Sequence, residues 1–194
     1  MFVKRAFREA SQAWSFFRSG FTSWETTASF LPSQRFLVGT LVDAAKLAGA
    51  RNIVELGPGL GHVTSKILER MPHDSRLFSI EIDPAMVEAM ASKLSDPRLE
   101  IIEGDAANLP QLLKAAGCDE PVDAVISSLG MSLLPADVRE SIFHSIKAVL
   151  GPAKPYVQYA YFHARVVVWT GSRGFSQFNI REHLAPHFQQ MHRQ

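Results

Sequence analysis

Ile53-Val54-Glu55-Leu56-Gly57-Pro58-Gly59-Leu60-Gly61 is the stretch on which the reading of the fold turns. Its first four residues read as a buried strand, and glycines follow at three alternate positions. Without a Cβ, the backbone at 57, 59 and 61 can turn tightly and come close to a ligand. Residues 63–70 continue with helical periodicity, and such a helix offers unpaired N–H donors at its start. A strand, a glycine turn and a helix in that order point to a ligand-binding βα unit more sharply than the glycine spacing alone.

Working outward, the same alternation repeats. Residues 77–80, 99–102, 122–126 and 155–162 read as further strands. Helices are predicted over 84–94, opened by Pro84, over 109–116 and over 136–150. The segment 165–169 and a short tail follow. Ahead of the first strand, Ser33 is placed to cap a helix through Ala48, with Gly49 as its terminator. Strand–helix alternation predicts an α/β fold, a Rossmann-like doubly wound and mostly parallel sheet with helices on both faces. With no internal repeat or low-complexity linker, the economical division is an N-terminal segment, 1–32, and one ligand-binding domain, 33–194.

Composition agrees. Of 194 residues, 46% are hydrophobic and 20% charged, globular proportions that exclude wholesale disorder. The single cysteine, Cys118, excludes a disulfide scaffold and a cysteine-based zinc cluster, and suits a reducing cytoplasm. No apolar run approaches the roughly 18 residues that cross a bilayer, and no secretory signal is expected. Net charge is +1, unevenly spread: residues 1–20 carry Lys4, Arg5, Arg8 and Arg18 against Glu9, leaving the remainder at −2. A basic head points to an anionic surface as partner, either membrane or nucleic acid. Val3, Phe7, Ala10, Trp14, Phe17 and Phe21 recur at helical steps, with Lys4, Arg5 and Arg8 off that face. Such a helix can lie in a membrane interface, or simply cover the domain beside it.

Three more strand ends carry candidate ligand groups. Glu81 ends the second strand twenty residues past Gly61, where a doubly wound fold places a carboxylate for ribose hydroxyls. Gly104-Asp105-Ala106 ends the third strand, with Asp105 able to accept from an adenine amine. Ser127-Ser128-Leu129-Gly130 ends the fourth. The glycine spacing is G-x-G-x-G rather than G-x-G-x-x-G, and Glu55 just before it would repel a pyrophosphate but suits a cation. A ligand with adenine, ribose and positive charge is implied, and S-adenosyl-L-methionine (SAM) fits. No Gly-Lys-Ser/Thr motif is present, which excludes a P-loop.

ELGPGLG (55–61), SIEIDPAM (79–86), EGDAANL (103–109) and AVISSLGMSLLP (124–135) together resemble the class I SAM-dependent methyltransferases. More narrowly, FLPSQRFLVGTLV (30–42) and PYVQYAY (155–161) resemble segments of the bacterial phospholipid N-methyltransferases that act on phosphatidylethanolamine. The resemblance implies that Glu55, Gly57, Gly59 and Gly61 contact the methionine end of SAM and that Glu81 holds the ribose. It implies that Asp105 and Ala106 frame the adenine and that Ser127, Ser128 and Leu129 line the methyl-transfer pocket. Ser33, Ile82 and Gly104 complete the expected cofactor-binding set. The chain departs from the family pattern at Ser127-Ser128-Leu129-Gly130, where Ser-Gly-Leu-Pro is commoner, and at His183-Leu184-Ala185-Pro186 in the tail.

On this reading the substrate is a phospholipid amine, and the partner of Val3, Lys4, Arg5, Phe7, Arg8, Trp14 and Phe17 is an anionic membrane. The expected location is the cytoplasm, peripheral on the inner face of the cell membrane. Tyr159 and Tyr161 share one strand face and are the candidate catalytic pair, one contacting the amine and both accommodating the methylated cation through cation–π attraction. The nearest competitor is an RNA adenine N6-methyltransferase. Those enzymes stack a flipped base on an aromatic in the fourth motif, and Ser127–Gly130 has none, so no nucleic-acid partner is expected. A non-catalytic SAM-binding protein is the third alternative. His183, His187 and His192 lack a carboxylate motif nearby, so no metal is expected. Cys118 has no neighbouring base to make it a nucleophile.

Overall fold

The computed structural model describes the backbone of residues 32–131, 134–160 and 165–169, and the side chains of 38–131 and 134–159. The elements are α1 (Pro32–Ala44), β1 (Asn52–Leu56), α2 (His62–Arg70), β2 (Arg76–Glu81), α3 (Pro84–Ala91) and β3 (Leu99–Glu103). A 3-10 turn (Ala106–Asn108) leads into α4 (Leu109–Ala115), followed by β4 (Ala124–Ser127), α5 (Ala136–Val149), β5 (Tyr156–Ala160) and β6 (Arg165–Trp169). One sheet runs β3-β2-β1-β4-β5-β6. The first five strands are parallel, and β6 pairs antiparallel with β5, Tyr156 opposite Trp169. The expected Rossmann-like α/β fold is what the chain adopts.

Two hydrophobic cores, one on each face of the sheet, explain the order of elements. Strand residues alternate sides. Val54, Leu56, Phe78, Ile80, Val125 and Tyr156 meet Leu109 and Leu113 of α4 and Ile142, Phe143 and Ile146 of α5. Ile53, Leu77, Ala124, Ile126, Val157 and Tyr159 meet Leu41, Val42 and Ala45 at α1 and Ile67 of α2. Burial on both faces is why the interior strands read as continuous apolar runs.

Several boundaries shift. Helix α1 ends at Ala44 rather than Ala48: Lys46 turns the chain at φ 50, so that Ala45 and Leu47 can both be buried. Ser33 therefore lies inside the helix span and is not its cap. Helix α3 ends at Ala91 rather than 94: Ser92 N still donates to Glu88 O, but Lys93 N turns back three residues to Met90 O, which Leu94 N shares. Val122 makes only an isolated bridge to Leu150, and β4 starts two residues later. The segment 165–169 is a sixth strand. No helix among the described residues is long and apolar enough to cross a membrane.

Candidate active site

Strand order reverses between β1 and β4, and an open α/β sheet binds its ligand outside the carboxyl ends of the strands at such a point. The cleft found there has an empty volume of about 560 Å³, open solvent included. Its floor comes from Gly57, Ile80, Glu81, Ile82, Gly104, Asp105, Ala106 and Leu129, the ends of all four strands singled out in the sequence. Its far wall is Leu134, Pro135, Val138 and Ile142, an apolar stripe leading into and along α5.

The glycine loop is built for close approach. Gly57 has φ +71, and its N–H donates to Ile80 O at 3.0 Å, tying β1 to β2. A Cβ there would lie 2.6 Å from Leu129 Cδ2. Gly61 begins α2 at φ +84, and a Cβ there would meet Leu94 Cδ1 at 2.7 Å. Gly57→Ala combines an unfavourable backbone region with a steric clash. It is expected to destabilise the fold by about 1–3 kcal/mol, read from denaturant unfolding of the two proteins.

Glu81 is 3% exposed and forms the hub of the floor. Its Oε2 accepts from Gly59 N at 3.1 Å, and its Oε1 accepts from Ile82 N at 2.8 Å and Asp83 N at 3.1 Å. Burial raises its pKa, and the three backbone donors work against that rise. Asp105 lines the cleft while capping the 3-10 turn, its Oδ1 accepting from Ala107 N at 2.9 Å.

Glu55 is enclosed rather than presented. It is fully buried, and its Oε2 accepts from Thr64 Oγ1 and Ser79 Oγ, both at 2.7 Å. Its Oε1 has no hydrogen-bond partner. Burial lifts its pKa to about 7; the Thr64 and Ser79 hydroxyls oppose this and Glu81 adds to it. Glu55 does not line the cleft described here, and its recorded partners are Thr64 of α2 and Ser79 of β2.

Tyr159 is also placed differently from the expectation. Strand alternation puts it with Val157 in the core against Leu41 and Val42, and it does not line the cleft. Its neighbours Tyr156 and Gln158 occupy the opposite face. Of the fourth-strand residues, Leu129 lines the cleft, whereas Ser127 is fully buried with its Oγ accepting from Leu129 N at 3.3 Å. Ser128 is buried as well. Tyr161, and the expected membrane residues Val3, Lys4, Arg5, Phe7, Arg8, Trp14 and Phe17, lie outside the described residues, as does the Ser33 side chain.

Sequence reasoning missed the apolar wall and the buried polar side chains behind it. Leu134, Val138 and Ile142 stand four residues apart, a spacing that reads as an ordinary core-facing stripe. Ser145 on α5 donates to Ala106 O at 2.5 Å, and Gln158 on β5 donates to Leu129 O at 2.8 Å. The buried serine carries no periodic or motif signal, and Gln158 lies within PYVQYAY, where only the tyrosines are assigned a role.

Residues 53–153, just over half of the chain, match the family model of the methyltransferase domain. The chain belongs to that family. SAM is its cofactor. Among curated proteins, this methyltransferase is 31% identical over 132 residues to an ornithine lipid N-methyltransferase of Singulisphaera acidiphila, covering 68% of each chain. It is 37% identical over 81 residues to a probable ribosomal RNA small subunit methyltransferase A of Methanococcoides burtonii, covering 41% of this chain and 28% of the other. Among solved structures it is similar to a SAM-bound amino pentose methyltransferase of Micromonospora echinaspora. That pair has a TM-score of 0.55 and 17% identity, and the match covers 74% of this chain and 56% of the other, a likeness of fold alone.

The cleft suits this cofactor. The loop that a Cβ would fill and the carboxylates Glu81 and Asp105 together match a cationic adenosine compound. The expected holders are Gly57 and Leu129 near the sulfonium, Glu81 with Ile82 at the ribose, and Asp105 with Ala106 and the α5 wall around the adenine. SAM brings an intrinsically reactive methyl sulfonium, so the protein's task is to align it with the acceptor and keep water out.

Proposed function

We propose that this methyltransferase transfers methyl groups from SAM to the primary amine of a membrane-lipid headgroup, either phosphatidylethanolamine or an ornithine lipid. The observation that carries this reading is the extent of the lipid-enzyme similarity. It runs over 132 residues and 68% of each chain, whereas the ribosomal RNA enzyme of Methanococcoides burtonii is matched over only 81 residues. The described site supports it, since Ser127-Ser128-Leu129-Gly130 supplies no aromatic on which a flipped base would stack. An ammonium headgroup must lose its proton before it can attack. A dry pocket disfavours the charged form and eases that loss.

The deciding experiment incubates the protein with labelled SAM, vesicles containing both amine lipids, and a structured RNA in parallel. Label in a lipid amine is the expected result, and label confined to RNA would overturn the proposal. On the same reading the basic segment meets the membrane. Each cation near an anionic surface is worth about 1 kcal/mol, so changing Lys4, Arg5 and Arg8 together to Gln is expected to cut vesicle flotation by about 100-fold or more. Unchanged flotation at low salt would remove the surface role from this segment.

A further inference from the structure

Behind the cleft, a chain of buried polar contacts runs from β5 to Leu129, which packs on the glycine loop. Tyr156 donates its hydroxyl proton to Gln158 Oε1 at 2.5 Å. Gln158 Nε2 donates to Leu129 O at 2.8 Å and to Tyr159 O at 2.6 Å. Two carbonyls on one side of the amide and a hydroxyl donor on the other leave a single orientation for Gln158, which is 6% exposed. Leu129 in turn covers the glycine loop, close enough that a Cβ on Gly57 would collide with it. On the way the Tyr156 ring meets Phe143 of α5 edge-on at 5.9 Å, next to Ile142 of the apolar wall. The amide therefore touches the backbone of a cleft-lining residue while remaining outside the cleft.

We propose that Gln158 is a positioning residue for the cofactor cleft, its side-chain amide holding the Leu129 carbonyl so that Leu129 closes over Gly57 at the methyl-bearing end of the cofactor. The proposal rests on the assignment of SAM as cofactor and is independent of which acceptor is methylated. Its physical basis is that the Leu129 carbonyl accepts from two donors, Met131 N and Gln158 Nε2, both at 2.8 Å; losing the amide leaves only the bond within the loop from Ser127 to Met131 and removes that loop's tie to β5. Burial raises the pKa of the Tyr156 hydroxyl, which keeps it a neutral donor to Gln158.

The test titrates S-adenosyl-homocysteine, the demethylated product, calorimetrically into the full chain and two variants. Gln158→Met keeps the volume and removes the donor. Gln158→Glu places a buried carboxyl there, which at about pH 6 is protonated and can donate one hydrogen bond, whereas at about pH 8.5 it is ionised and faces two carbonyl oxygens. Relative to wild type at the same pH, Gln158→Glu is expected to bind within about threefold at the lower pH and at least about tenfold more weakly at the higher. Gln158→Met is expected to bind about fivefold or more weakly at both. A Gln158→Glu ratio that does not change with pH overturns the proposal, and so does wild-type affinity in Gln158→Met. If Gln158→Met fails to fold, the pH-dependent ratio decides alone. Absence of product binding by the wild-type chain would instead sink the cofactor assignment, and failure of lipid labelling would leave this result standing.

Discussion

Glu81→Ala is expected to weaken SAM binding by about 100-fold or more while the chain still folds. A hydrogen bond to a charged group contributes about 1.5–3 kcal/mol, and losing two from a ribose diol removes at least about 3 kcal/mol of binding. The carboxylate also organises the floor of the cleft, accepting from the backbone of Gly59, Ile82 and Asp83. Its loss therefore removes the Gly59 tie to β2, leaving that of Gly57 N to Ile80 O, as well as the expected ribose partner. Glu81→Gln retains one acceptor oxygen and is expected to fall between, at about tenfold. Calorimetric titration with the demethylated product, beside circular dichroism of the unliganded variants, separates binding from folding. Wild-type affinity in Glu81→Ala would confine the carboxylate to its three backbone partners.

The second large effect is a pH dependence of stability that resides in Glu55. Its carboxyl has an ordinary value of 4.5 and is pushed to about 7 in the fold, chiefly by burial. Below about pH 4.5 both folded and unfolded chains hold this proton, and the group contributes no slope. Between about 4.5 and about 7 the unfolded chain releases the proton and the folded chain keeps it. Stability therefore falls as pH rises through that window, by about 3 kcal/mol in total, and the slope disappears above it. Urea unfolding of wild type and Glu55→Gln at about pH 5 and about pH 8 isolates the contribution, because Glu81, also raised by burial, is common to both proteins. Wild type is expected to lose about 2.5 kcal/mol more than the variant over that interval. Equal losses would mean that Glu55 is ionised in the fold and that its unpartnered oxygen is satisfied by solvent.

Legibility in the sequence followed the range of the forces involved. The β1–glycine–α2 unit, the carboxylates Glu81 and Asp105 and the parallel order of strands are all local patterns. Each is set by backbone sterics or by burial on both faces of a sheet, and each leaves a mark at a fixed spacing. Helix ends were less legible. The turn at Lys46 answers the burial of Ala45 and Leu47, and the closing turn of α3 answers Leu94 packing near Gly61. Both are demands of neighbours far along the chain.

From the residues alone, one can read a doubly wound sheet with an adenosine-type cleft at the carboxyl ends of its strands, because alternating apolar runs and alternate glycines admit few other solutions. Folding settled which side of the sheet each side chain joins and which groups meet across it. A single residue of phase along β5 puts Tyr159 in the core under α1 and turns Tyr156 and Gln158 toward Leu129. The same enclosure buries Glu55 with one oxygen unpaired. Those outcomes depend on contacts between segments separated by tens of residues, and no local pattern encodes them.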